Sequence, residues 1–185
     1  MEGGGLIPLA HLVTTGLGPL YDGASHFLMS PEDWAVAIAG ALFAGLHGTD
    51  ACKRIMYVLP VAWLLGGIIG ETVNSIPNIP AAGCIMLILG TLAAADLKPN
   101  LTATSMVLGI AGLVQGWGNG VSMNVRSGTT LALLGIGAGV FVVVTLVAGL
   151  VAPLKHMWMR TAARVLGSWM AAIGLLLIGW FFRKP

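Results

Sequence analysis

The chain has 185 residues, of which 57% are hydrophobic and only 9% charged, with a formal net charge of +2. A soluble domain carries roughly 25% charged residues, so this composition excludes a water-covered globule and makes the bilayer the solvent for most of the chain. Nine Lys and Arg without a basic run exclude a nucleic-acid partner.

Cys52 and Cys84 lie in separate segments with no Cys-x-x-Cys spacing, so they form neither a disulfide framework nor a zinc site. Gly reaches 27 residues while aromatics are 7%, a combination suited to helices whose backbones approach closely in a membrane. Continuous apolar runs, rather than alternating strands with aromatic girdles, exclude an outer-membrane barrel. The fold expected is all-α: a polytopic transmembrane helical bundle of six to seven spans, in one integral membrane domain over 1–185.

A crossing helix needs about 20 mostly apolar residues, and such runs lie at 5–28, 34–50, 55–74, 80–97, 101–121, 129–153 and 161–182. In the first, Gly16-Leu17-Gly18-Pro19-Leu20-Tyr21-Asp22-Gly23 predicts a broken or re-entrant helix, because Pro19 removes a backbone hydrogen bond and the glycines weaken the turns. Met1-Glu2-Gly3-Gly4-Gly5 lacks the basic start of a cleavable signal peptide. Ser30-Pro31-Glu32-Asp33, Thr49-Asp50-Ala51-Cys52-Lys53, Asn74-Ser75-Ile76-Pro77-Asn78 and Leu97-Lys98-Pro99-Asn100 read as connections. Ser30, Thr49, Asn78 and Asn100 are the expected helix caps.

With seven crossings, Lys53, Arg54, Lys98, Lys155, Arg160 and Arg164 fall on one side, against Arg126, Arg183 and Lys184 on the other. The positive-inside rule then puts the first side in the cytoplasm, and the N-terminus with it unless the first span re-enters. The setting expected is the inner (cytoplasmic) membrane, crossed several times.

Ionisable groups inside a membrane are costly and default to function. The densest polar set is Tyr21-Asp22-Gly23-Ala24-Ser25-His26, with Glu32-Asp33 after it. Asp22 and His26 are four apart and share a helical face; carboxylate beside imidazole suits a divalent transition metal or a proton relay. His11 joins that face only if the helix runs unbroken.

A second set is His47-Gly48-Thr49-Asp50, where His47 and Asp50 share a face, together with Glu71 late in the third span. The third is Gln115-Gly116-Trp117-Gly118-Asn119-Gly120, whose two amides are four apart and need partners if buried. Its alternating glycines imply close approach of a backbone or a solute. Ala44-Gly45-Leu46-His47-Gly48 and Ala111-Gly112-Leu113-Val114-Gln115-Gly116 both set a polar group between glycines, which pairs the second and fifth spans as walls of one site. No nucleotide loop, serine-hydrolase elbow, zinc-protease motif or haem-attachment motif occurs, so an enzyme is not expected.

At these residues the chain resembles the HupE/UreJ family of small membrane proteins, encoded with hydrogenase and urease systems and regarded as nickel permeases. The family's first block reads His-Pro-x-x-Gly-x-Asp-His-x-x-x-Met. Anchored on Pro19, this chain offers Asp22, Gly23, His26 and Met29, with the histidine shifted by one and Gly18 in place of the leading histidine. The second block, His-Gly-x-x-His-Gly, corresponds to Gln115 through Gly120, with the glycines kept and both histidines replaced by amides.

The resemblance implies passage of a divalent metal, nickel first, with Asp22 and His26 capturing the ion; the polar sets read from the residues themselves add Glu71 or His47 to take it, or a proton, onward. Tyr21, His11, Asp50, Gln115 and Asn119 would line its path or support it. No tightly bound cofactor is expected. Implied partners are membrane lipid and metalloenzyme maturation proteins, with a homo-oligomer or a larger membrane complex open. The residues alone also leave open a structural subunit of such a complex and a channel for a small neutral solute such as urea or ammonia.

Overall fold

The computed structural model describes residues 15–73, 75, 78–123 and 129–183, and these form helices joined by short turns. In chain order they are α1 (Pro19–Met29), α2 (Pro31–His47), α3 (Thr49–Val73), α4 (Ala81–Ala94), α5 (Leu101–Met123), α6 (Thr129–Val151) and α7 (Met157–Phe182). By length and composition α3, α5, α6 and α7 can each cross a membrane, and α1 with α2 forms a fifth candidate, bent by 75°. α4 has 14 residues, about 21 Å at the helical rise, which is short of the roughly 30 Å hydrocarbon core. The described residues hold seven helices where seven runs were expected, the first run only from residue 15 on; four are each long and apolar enough to cross a membrane, and α1 and α2 together make a fifth candidate.

Several boundaries differ from expectation for identifiable reasons. Pro19 occupies the first turn of α1 and starts that helix, because a first-turn nitrogen needs no intrahelical partner; Gly16 and Gly18 precede it at positive φ, and the run before residue 15 lies outside the described residues. Among the described residues a further sharp bend falls between α1 and α2, at Ser30-Pro31. Thr49 through Lys53 is the first turn of α3, not a connection, since Gly48 alone turns the chain at φ 127°, a region that L side chains rarely adopt. Asn100 caps α5 as expected, its Oδ1 accepting the Ala103 N–H at 2.8 Å. Ser30 precedes α2 without a side-chain cap bond, and Pro80, not Asn78, precedes α4.

α2 is the centre of the bundle. From Ala35 to Leu46 every residue except Ile38 is buried, and each of the other six helices packs against it. A helix apolar on all sides is stable only when surrounded in this way. Around it the helices pair as α3 with α5, α4 with α7 and α1 with α6.

The α3–α5 pair is the most intimate, and glycine spacing makes it so. A Cβ at Gly116 or Gly120 would fall onto the carbonyls of Trp63 and Gly67, and one at Gly66 or Gly70 onto those of Leu113 and Trp117. Four-residue spacing on both helices keeps these contacts in register for two turns, which is the small-xxx-small mode of membrane helix packing.

The end of the bundle where α2 stops is tied by polar contacts. Arg160 Nη2 donates to the Leu46 carbonyl at 3.1 Å and to Asp96 at 2.9 Å. His47 Nε2 lies 2.6 Å from the Pro99 carbonyl, and Arg164 Nε donates to the Ala94 carbonyl at 2.8 Å. A cation at the carbonyl end of a helix is favoured by the local dipole. Arg160→Ala is expected to cost about 1–3 kcal/mol, since it strips the Leu46 carbonyl and the ion pair together. Asp96→Asn should cost about 1 kcal/mol or less. Unfolding midpoints in detergent compare the two, and equal losses would remove the Leu46 contact from the account.

Candidate functional site

Where α1 bends into α2, Pro31 and Glu32 face outward, but Asp33 turns inward and is 2% exposed. Its position follows from the sequence of α2: every later turn of this helix is surrounded, so an inward side chain in its first turn is enclosed as well. Gln115 and Asn119 reach it from α5, one turn apart on the same face. Gln115 Nε2 donates to Asp33 Oδ1 at 2.8 Å, and Asn119 Nδ2 donates to Oδ2 at 3.0 Å. Each carboxylate oxygen therefore holds one amide N–H, while each amide keeps a carbonyl oxygen able to accept.

The α3–α5 glycine contacts set the height of these amides. Gly116, immediately after Gln115, sits against Trp63, and Gly120, immediately after Asn119, sits against Gly67. The close approach implied by the alternating glycines is thus to the α3 backbone. From α1, His26 is buried and interacts electrostatically with Asp33; its Nε2 lies 3.5 Å from Ser30 Oγ. One carboxylate, one imidazole and two amides, from three helices, make the polar heart of an apolar bundle.

The expected site residues divide by place. Gln115 and Asn119 meet at Asp33, which the sequence placed in a connection, while His26 is buried on α1 with its Nε2 toward Ser30. Asp22, one turn before His26 on α1, accepts the Thr15 N–H at 2.6 Å and the Thr15 hydroxyl at 2.8 Å, so it anchors the segment entering α1. Glu71 is half-buried at the end of α3, next to Gly70 and its Trp117 contact, and so lies toward the same end as the amides. His47 is 14 residues after Asp33 on α2, about 21 Å away along the helix, in the polar tie at the other end. Tyr21 and Asp50 are exposed. His11 lies outside the described residues.

The pairing of the second and fifth spans does occur, through Asp33 rather than through His47. Among the described residues no group of three or more His, Cys, Asp or Glu side chains is placed to hold one metal ion. No family model, no curated protein and no solved structure matches the chain. What the arrangement can do is therefore judged on its chemistry: a buried carboxyl group held by two amide N–H donors, with a buried imidazole on the neighbouring helix.

Proposed function

We propose that this chain is a small multi-pass permease for a divalent transition-metal ion, nickel first, with Asp33, His26, Gln115 and Asn119 as its ion site. On this reading α1 and α2 form one broken span and α4 a short one, giving six crossings. The six cations on the His47 end support a reading of that end as the cytoplasmic one, in an inner-membrane protein. The Asp33 cluster then lies toward the outer side, from which the ion enters.

The observation that carries the reading is a carboxylate 2% exposed at the bend of a helix otherwise buried among apolar residues. A charge at that depth costs about 2.5–3.5 kcal/mol on insertion scales and is retained for ion or proton passage. Imidazole beside a carboxylate suits nickel, copper and zinc alike, and the resemblance of the first block to the HupE/UreJ family points to nickel among them. A site of one carboxylate and one imidazole leaves the ion part of its water, with the amide oxygens beside it.

Nickel uptake into proteoliposomes tests this, with His26→Ala beside wild type and urea flux as control. Saturable uptake is expected in wild type and a fall of at least about tenfold in the variant, the scale on which groups supporting a metal act. Urea flux without nickel uptake would replace the reading with a neutral-solute channel. A protein that is polydisperse when purified alone and stable only with companions would replace it with a structural subunit.

A further inference from the structure

Trp63 is the largest fully buried side chain, 1% exposed, yet its indole Nε1 finds no acceptor among the described residues. Buried donors are almost always paired, so packing alone does not account for it. Its backbone crosses α5 between Gly112 and Gly116. Its ring meets Phe27 of α1 edge-on, with centroids 6.3 Å apart and planes at 80°. Phe27 follows His26 and Gly116 follows Gln115, so the Trp63 ring packs on the neighbour of His26 and its backbone carbonyl lies against the neighbour of Gln115. The other buried polar atom without a partner among the described residues is Thr145 Oγ1. A helical threonine hydroxyl rotates and can turn to the carbonyl one turn back, whereas the ring fixes the direction of an indole N–H.

We infer that Trp63 is part of the ion site and donates its Nε1–H to a water molecule of the ion's outer hydration shell. This rests on the cation reading above and specifies its substrate as an ion still carrying water. An indole N–H is a donor only, so it cannot ligate a metal. It can donate to a second-shell water, whose other lone pair accepts from a metal-bound water. Asp33 and His26 then bear the charge, the amides and the indole hold the water, and a bare ion gains nothing from Trp63.

The test is nickel binding by purified protein in detergent, wild type beside Trp63→Phe, which keeps a ring against Phe27 and removes the donor. Saturable binding in wild type and a dissociation constant about three- to tenfold weaker in the variant are expected, the worth of one hydrogen bond. In wild type labelled with 15N at the indoles, the resonance absent from Trp63→Phe should move on adding zinc, a diamagnetic probe of the same site. Where the variant does not fold, replacing the other five tryptophans with Phe leaves Trp63 as the sole indole for the same titration.

Unchanged affinity in a folded Trp63→Phe, or an indole unmoved by zinc while nickel binds, overturns the role of Trp63 and spares the cation reading. No nickel binding in wild type, with an indole that responds to urea, overturns both.

Discussion

Asp33→Asn is expected to yield a folded protein with no metal uptake, and Asp33→Ala a protein that folds poorly or not at all. The asparagine side chain keeps the size of the carboxyl and one acceptor oxygen. If Gln115 or Asn119 rotates its amide, its carbonyl accepts the new N–H2, so every donor pointing between these three side chains still meets an acceptor. Only the charge is lost. Alanine instead leaves both amide donors, now 2.8 and 3.0 Å from Asp33, without acceptors. Each stranded group costs about 1–3 kcal/mol, so the pair removes about 2–6 kcal/mol from a total stability of about 5–15. Thermal unfolding in detergent and uptake in proteoliposomes separate the two effects. Asparagine that destabilises as much as alanine would mean that the charge itself, not its acceptor geometry, holds the helices together.

Gly116→Val is the second large effect. Its Cβ would fall onto the Trp63 carbonyl, and backbone on backbone offers no flexible side chain to give way. Overpacking of this kind costs about 1–3 kcal/mol and sometimes more. Separation of α3 from α5 would also draw Gln115 and Asn119 off Asp33, so the loss of the site should exceed the loss of stability. Gly118→Val is the control, because a Cβ there meets nothing within 4 Å. Equal effects at the two positions, read by unfolding midpoint and by uptake, would contradict the packing account of the α5 glycines.

Much of the helix pattern was legible because it depends on local composition. Long apolar runs separated by Pro, Asn and Asp gave the order of the helices, and Asn100 caps α5 as its side chain suggests. Boundaries moved where one residue decides geometry: Pro19 starts a helix, and Gly48 turns the chain so tightly that Thr49 and Asp50 already belong to α3. The shared face of Gln115 and Asn119 was legible from their spacing, but their common partner was not.

Asp33 sits beside Pro31 and Glu32 in what reads as a polar connection, and nothing local distinguishes the buried acid from its exposed neighbour. The signal was available further along. A run from Ala35 to Leu46 without a polar face says that the helix is enclosed on every side, which extends to an inward residue of its first turn. His47 failed to join the site for the same geometric reason, since one long helix holds it at the far end from Asp33.

The most direct measurement is saturable nickel uptake into proteoliposomes containing wild type or Asp33→Asn, at matched protein content and matched insertion. The account predicts uptake by wild type and none above empty liposomes for the variant, with both proteins equally monodisperse and close in unfolding midpoint. Uptake by Asp33→Asn at the wild-type rate would contradict it, because the buried carboxylate would then be a tie between helices and not the ion's binding group.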